Sequence, residues 1–549
     1  IYHMGTTWPN NHVKIDMDSL TGHCFITGTT GSGKSNTTYK LLEELLDKGI
    51  HFLVVEPAKG EYKTQFGNVE NINIFTTNKN FYEMLHLNPF EFPEGIHVAE
   101  HLQGLVQVFS ACWPLYAAMP AILKEAFERS YRYCGWDLHH SIHFDNGNGM
   151  FPTFNTLMKM LPEIINSSAY SADSKGDYIG SLQTRVNSLT KGLIGDIFCS
   201  GKSIGDHVLF EENTIVDLSR LKSDETVSLI MGTLIMKLNE YRMVQNLPKN
   251  SRLRHVTVLE EAHNILKRVS LDQNAEAGNV QGASVDMIRR SIAEMRTYGE
   301  GFIIIDQSPA EVDVAAIRNT NTKFIMKLSD KDDFETVGKT IGLNEEQILE
   351  IGKLQRGVAV TYQTEWEEPV LTMIDPCSNA YEVKKPKEND LAAEKEMLSD
   401  IVSELLEQYE AGEFQLNWVN SILNKEKRVS SMKKQQYQSL LTSFRRDCSR
   451  LAKQEKDLRF FKLLYDLICC EDLFEIFTLD IPIINKKSEE TPEIRKKIKT
   501  WGKRMKAGLD FYLEVSEEEK DRLLEYLLIH YIMLTDDLKG KIAISILYP

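Results

Sequence analysis

GTTGSGKSN, residues 28–36, follows the apolar run HCFIT (residues 23–27) and leads into NTTYKLLEELLDKG (residues 36–49), which has helical spacing. The order is strand, glycine-rich loop, helix, and Gly28 to Ser35 fit the phosphate-loop pattern of two spaced glycines followed by Lys and Ser. Glycines let the backbone wrap so that successive N–H groups converge on phosphate oxygens. The helix that follows adds the partial positive charge of its N-terminus. The candidate phosphate-binding residues are Gly28, Thr29, Thr30, Gly31, Ser32, Gly33, Lys34, Ser35 and Asn36. Lys34 is the point charge for the β- and γ-phosphates, and the Ser35 hydroxyl is a ligand for Mg²⁺. A glycine turn that only caps a helix requires neither the lysine nor the strand. The expected ligand is a nucleoside triphosphate with Mg²⁺.

Hydrolysis needs a second acidic strand. HVTVLEEAHN (residues 255–264) is an apolar run ending in two carboxylates, and α/β sheets place ligands at the carboxyl ends of their strands. Glu260 is expected to orient Mg²⁺ or its water, and Glu261 to polarise the attacking water. An acidic helix start is the plainer reading of this motif alone, and it weakens once the phosphate loop is present. His263 reads equally as a γ-phosphate sensor or a packed surface histidine. Further on, MIRRSIAEMRTYGEGFIIIDQSP (residues 287–309) carries a basic helix, a Tyr298-Gly299 turn and an apolar strand ending in Asp306-Gln307. Gln307 is placed to bond the attacking water or the γ-phosphate. An arginine near such a site stabilises charge on the transferred phosphoryl group, and Arg296 is the better candidate. Arg289 and Arg290 read as an exposed helix face.

The chain has 549 residues, enough for two to four domains, with 42% hydrophobic and 26% charged residues, as in ordinary globular proteins. No apolar run approaches the roughly 18–20 residues that cross a bilayer, and no secretory leader opens the chain. It starts at Ile1 rather than Met, which leaves room for residues ahead of it. Eight scattered cysteines read as reduced and the protein as cytoplasmic. A net charge of −16 disfavours an all-over nucleic-acid coat but not a local basic channel.

From residue 23 to about 375, short apolar runs alternate with amphipathic stretches, which predicts an α/β domain with a mainly parallel sheet. The strand-like runs are HCFIT, HFLVVE, INIFT, TIVDL, HVTVLE, GFIIID, KFIMKL and GVAVTY. Helical insertions are expected at about 95–138 and 153–193, and a third helix at Leu229–Val244. Residues 381–396 are rich in charge and read as a linker or exposed helix start, and 397–549 as a separate all-α domain. Two cation-rich stretches there, Lys425–Lys453 and Ile494–Lys506, suit phosphate contacts, the second with Trp501 as a stacking platform. Solvated helix faces are the commoner meaning of such runs, and that reading is favoured for both.

GTTGSGKSN, VVEPAKGEY, LNPF, VDLSRL, VLEEAHN, EMRTYGEGFIIIDQSP and NTNTKFIMKLSDKDD, in this order, resemble the HerA–FtsK branch of P-loop ATPases, and bacterial HerA-like proteins most closely. The resemblance covers about residues 1–375. It implies a RecA-like core, a homo-hexameric ring with ATP between subunits, and movement along double-stranded DNA. It assigns phosphate and Mg²⁺ roles to Lys34 and Ser35, acidic-strand roles to Glu260 and Glu261, a sensor role to Gln307 and the arginine role to Arg296. Glu56 stands where such proteins often carry an acidic residue after the second strand; a solvated strand-end carboxylate is the plainer alternative. HerA proteins generally carry a β-barrel before this loop, and the 27 residues ahead of Gly28 are too few for one. Three functions are expected in this order. The first is a DNA translocase or helicase working with a separately encoded nuclease or sirtuin-like effector, as in phage defence. The second is a secretion or conjugation motor, and the third a nucleotide-held scaffold for an effector.

Overall fold

The structure, a computed structural model, describes residues 13–548 apart from segments of which 145–150, 269–274, 378–390, 445–452 and 469–490 are the longest. The chain divides into two compact units, residues 1–384 and 385–549.

The first unit is built on a ten-stranded sheet. Its strands are β1 (Cys24–Thr27), β2 (His51–Glu56), β3 (Ile72–Thr76), β4 (Glu83–Met84), β7 (Asn213–Asp217), β8 (His255–Leu259), β9 (Glu300–Asp306), β10 (Thr322–Ile325), β11 (Val358–Gln363) and β12 (Val370–Met373). Their order is β12-β11-β10-β1-β9-β8-β2-β7-β3-β4. Every pairing from β10 to β4 is parallel, and β11 and β12 add an antiparallel edge. All eight apolar runs expected as strands are strands. β1, β7, β8 and β9 are buried along their whole length, which is why they read as unbroken apolar runs rather than alternating ones. The short β4 and the half-exposed β12 lack that signal, as does a two-stranded hairpin, β5 (Trp136–Asp137) with β6 (Ile142–His143).

The insertions are helical, as expected. Helices Val98–Cys112, Met119–Tyr133 and Phe154–Ser167 pack Phe109, Phe127 and Phe154 with Phe90 of the preceding turn, in T-shaped or tilted pairs at centroid distances of 5.2–6.0 Å. The third expected helix is longer at its start, Asp224–Val244, because Ser223 caps it by accepting the N–H of Thr226.

Among its described residues the second unit holds helices and no strand: Leu391–Ala411, Val419–Lys425, Lys453–Ile468, Pro492–Leu509, Glu517–Thr535 and Leu538–Leu547 are its longer helices. The first of them begins inside the stretch expected as linker, and Ala393 is already fully buried there. Tyr409 stacks on Phe460 at 4.3 Å in the core of this unit. Trp501 is only 7% exposed and lies in the same core. It is therefore not available as a stacking platform; the apolar stripe Ile494, Ile498, Trp501 and Met505 repeats at helical spacing and points inward. The cations Lys496, Lys497, Lys499 and Lys503 lie on the exposed side of that helix. Most of Lys425–Lys453 lies outside the described residues. A groove of about 420 Å³ lined by Asp400, Glu404, Glu407, Glu410, Glu519 and Arg522 is acidic and so repels a phosphate backbone.

Candidate functional site

Five parallel strands in the order β1-β9-β8-β2-β7 bring their carboxyl ends to one edge. Thr27 of β1 is in register with Asp306 of β9, and Glu56 of β2 with Asp217 of β7. The phosphate loop, Glu56, Glu260 with Glu261, and Gln307 therefore converge although 279 positions separate Gly28 from Gln307.

The loop is held open from outside. Thr29 N–H donates to the Lys327 carbonyl at 2.8 Å, and Gly357 N–H to the Ser32 carbonyl at 2.8 Å. Gly33 has φ +119°, and a Cβ there would stand 2.8 Å from the Met326 side chain and 3.3 Å from the Gly357 backbone, so only glycine fits. Helix α1 (Lys34–Asp47) starts at Gly33 with no side-chain cap and no acidic residue in its first turn. Its first N–H groups are thus left for an external anion. The Ser32 hydroxyl is buried without a hydrogen-bond partner, an orphan that a phosphate oxygen would satisfy. These features fit a nucleotide phosphate.

Lys34 donates to the Gly28 carbonyl and is half-buried. Burial lowers its pKa, opposed chiefly by the charge of Glu261 and then of Glu260. The Ser35 hydroxyl donates to Glu61 Oε2 at 3.3 Å. Ser35, Glu61 and Glu260 supply hard oxygen donors of the kind Mg²⁺ takes. Asn36 faces elsewhere: its amide donates to the Asp375 carbonyl at 2.9 Å and accepts from Cys377 N–H at 2.7 Å. Its side chain ties residues 375–377 to α1, so any phosphate contact from Asn36 falls to its backbone N–H in the first turn of α1.

Glu260 and Glu261 follow β8 directly. Burial raises the pKa of Glu260, partly offset by the Tyr62 hydroxyl, which donates to its Oε1 at 2.8 Å. Glu261 sits in the left-handed region, φ +47° and ψ +54°, a conformation a side chain of this kind adopts only at a cost of about 1–3 kcal/mol. Gln307 Nε2 donates to Glu261 Oε1 at 2.6 Å, while Thr30 of the loop donates to Gln307 Oε1 at 2.8 Å. Gln307 thus joins the phosphate loop to the second carboxylate. His263 is part of the same cluster: Asp306 Oδ2 takes its backbone N–H at 2.8 Å and its Nδ1 at 2.9 Å. The bond to Asp306 is the main reason its pKa is raised. It is anchored to the strand end rather than loose at the surface.

Arg296 is at the other edge of the sheet. It precedes β9, whose seven residues span about 20 Å before Gln307. An arginine side chain does not cross that length, so Arg296 is not brought to the site of its own chain. Arg289 and Arg290 both pair with Asp286, Arg290 at 2.7 Å, as a salt-bridged helix face.

The loop after β2 places Glu56 and adds Lys59, Glu61, Tyr62 and Lys63, to which the motif reading gave no role. Glu56 is 1% exposed and accepts the N–H groups of Glu61 at 2.6 Å and Tyr62 at 3.3 Å. Burial pushes its pKa up to about 8. It is not a solvated strand end. Lys63 pairs with the buried Asp217 of β7, and the Lys59 ammonium stands 3.9 Å from Glu61. The clue lay in VVEPAKGEY, where four ionisable residues and a glycine gather at and just past the end of an apolar strand.

A mainly parallel sheet, a Gly33-Lys34-Ser35 loop at its carboxyl edge and two carboxylates on a nearby strand define a P-loop NTPase. The family model described as "Helicase HerA, central domain" matches residues 2–238. The chain is similar to the DNA double-strand break repair helicase HerA of Sulfurisphaera tokodaii, 24% identical over 369 residues, 66% of each chain. The protein of that name from Saccharolobus solfataricus is 23% identical over 372 residues, 67% of this chain and 66% of its own. The chain thus spans about two thirds of the length of these relatives. Among solved structures, VirB4 of Thermoanaerobacter pseudethanolicus superposes with a TM-score of 0.51 at 18% identity, covering 67% of this chain and 93% of that one, a likeness of fold. The chain is a P-loop ATPase that is similar to HerA over these residues. Among the described residues no helix is long and apolar enough to cross a membrane.

Proposed function

We propose that this chain is a motor that hydrolyses ATP with Mg²⁺ and moves along double-stranded DNA as a homo-hexameric ring. The observation that carries the reading is the hydrogen-bonded line from Thr30 through Gln307 to Glu261, which links the phosphate loop to a carboxylate able to polarise water. In this reading the N–H groups of the loop and Lys34 bind the triphosphate, and Ser35 with Glu260 holds Mg²⁺. Glu261 takes a proton from the attacking water, and Gln307 aligns that water with the γ-phosphate. Mg²⁺, when bound there, would supply positive charge against the negative charge building on the phosphates. Arg296 acts in a neighbouring subunit's site, since its own is about 20 Å away. The similarity to named DNA repair helicases supports DNA as the track, and the resemblance to HerA-like proteins supports a separately encoded nuclease or other effector.

The test is ATP hydrolysis with and without double-stranded DNA. Lys34→Ala is expected to abolish tight ATP binding. Glu261→Gln is expected to keep binding and lower kcat by about 10²–10⁴-fold, the usual contribution of a general base. Full hydrolysis by Glu261→Gln removes the base assignment. Hydrolysis that ignores DNA while the ring still holds an effector favours the scaffold reading instead.

A further inference from the structure

The carboxylate expected to face the cation, Glu260, comes from β8, yet its orientation is set from the loop that follows β2. Glu56 folds that loop back by accepting two consecutive N–H groups, those of Glu61 and Tyr62. The turn passes through Lys59 and Gly60, both at positive φ, +47° and +69°. Tyr62 at its end begins the short helix α2 (Tyr62–Phe66) and is 1% exposed. Its ring packs edge-on against Tyr39 of α1 at 5.1 Å, the helix that begins with Lys34 and Ser35. Its hydroxyl reaches across to Glu260 Oε1 at 2.8 Å.

We propose that Tyr62 is a positioning residue for the cation site. Its phenol occupies one oxygen of Glu260 and so presents the other to the Mg²⁺ that Ser35 would hold. The inference rests on the nucleotide reading of this edge. Without the phenol, the terminal torsion of a glutamate is broad, and the carboxylate turns freely. Mg²⁺ demands near-ideal octahedral geometry, so a turning ligand weakens it more than it weakens a less exacting partner. Groups that orient a metal's ligands typically change metal affinity 10–100-fold when removed. A purely packing role for Tyr62 would rest on the ring, which phenylalanine keeps.

The experiment uses the full chain, Mn²⁺ as the probe, and ADP to fill the phosphate loop, with bound Mn²⁺ read by electron paramagnetic resonance. Tyr62→Phe is expected to weaken Mn²⁺ binding about 10-fold. Metal-free ADP affinity should change less than about twofold, since the loop and Lys34 are untouched. In steady-state hydrolysis the Mg²⁺ needed for half-maximal rate should rise by the same factor, with kcat recovered at high Mg²⁺. Unchanged Mn²⁺ affinity in Tyr62→Phe, alongside weakened binding in Glu260→Gln, overturns the role of Tyr62 and leaves the nucleotide reading standing. Unchanged Mn²⁺ affinity in both variants removes the cation role of Glu260, and that of Tyr62 with it.

Discussion

Replacing Gln307 with leucine cuts the line between the phosphate loop and Glu261 while keeping a side chain of similar length. The bond lost is a 2.6 Å contact from an amide to a carboxylate. Hydrogen bonds to charged groups contribute about 1.5–3 kcal/mol, so kcat should fall by roughly 10- to 150-fold if that bond aligns Glu261 in the transition state. The second bond, from Thr30 at 2.8 Å, joins neutral groups and is worth about 0.5–1.5 kcal/mol, so Thr30→Val should cost about 2- to 10-fold. Steady-state hydrolysis supplies kcat, and titration with a fluorescent ATP analogue supplies affinity, which should move by less than about threefold. The two substitutions belong to one chain of bonds. In the double variant Thr30→Val should add little to the loss already caused by Gln307→Leu. A kcat for Gln307→Leu within twofold of the parent refutes the reasoning. Full additivity in the double variant limits the damage to the Thr30 link.

The site's remaining consequences are as checkable. Mixing Arg296→Ala subunits with Lys34→Ala subunits should restore hydrolysis at mixed interfaces, since Arg296 lies far from its own loop; no restoration in intact rings makes it structural. Glu56 concerns stability against pH. Its folded pKa of about 8 stands above the ordinary carboxyl value of about 4.5. Between those values the folded chain holds a proton that the unfolded chain has released. This group's effect is therefore to lower stability as pH rises through that window, by at most a few kcal/mol. Glu56→Gln should flatten that part of a Tm-against-pH curve at constant ionic strength, and an unaltered slope contradicts the assignment. Gly33→Ala, with φ +119° and a Cβ 2.8 Å from Met326, should lose ATP-analogue binding and lower Tm together. Analogue affinity equal to the parent's would show that the loop tolerates the strain.

Much of this was legible in the chain. Apolar runs such as HVTVL and GFIIID are buried on both faces, and burial on both faces leaves no alternation to confuse them with anything but core strands. The phosphate loop was legible because its chemistry is local: strand, glycines, lysine, serine and helix are contiguous. Gln307 and Glu261 were legible as residues just past strand ends, where an α/β sheet collects ligands.

What tertiary structure alone decided is which strand lies beside which, and so which side chains meet. Nothing local to Tyr62 says that β2 is beside β8, yet that adjacency delivers its hydroxyl to Glu260. Asn36 looked like the last residue of the loop until the return of residues 375–377 engaged its amide. The run around Trp501 reads as a solvated helix face in preference to a stacking platform; its lysines are exposed, while the second unit's core took the ring because burying an aromatic outweighs leaving it among exposed lysines. Arg296 and Gln307 are eleven residues apart in sequence, yet the extended strand between them puts them at opposite ends of β9. Sequence determines the chemistry each segment carries. Long-range pairing of strands, which costs chain entropy and is set by the whole core, determines where that chemistry meets.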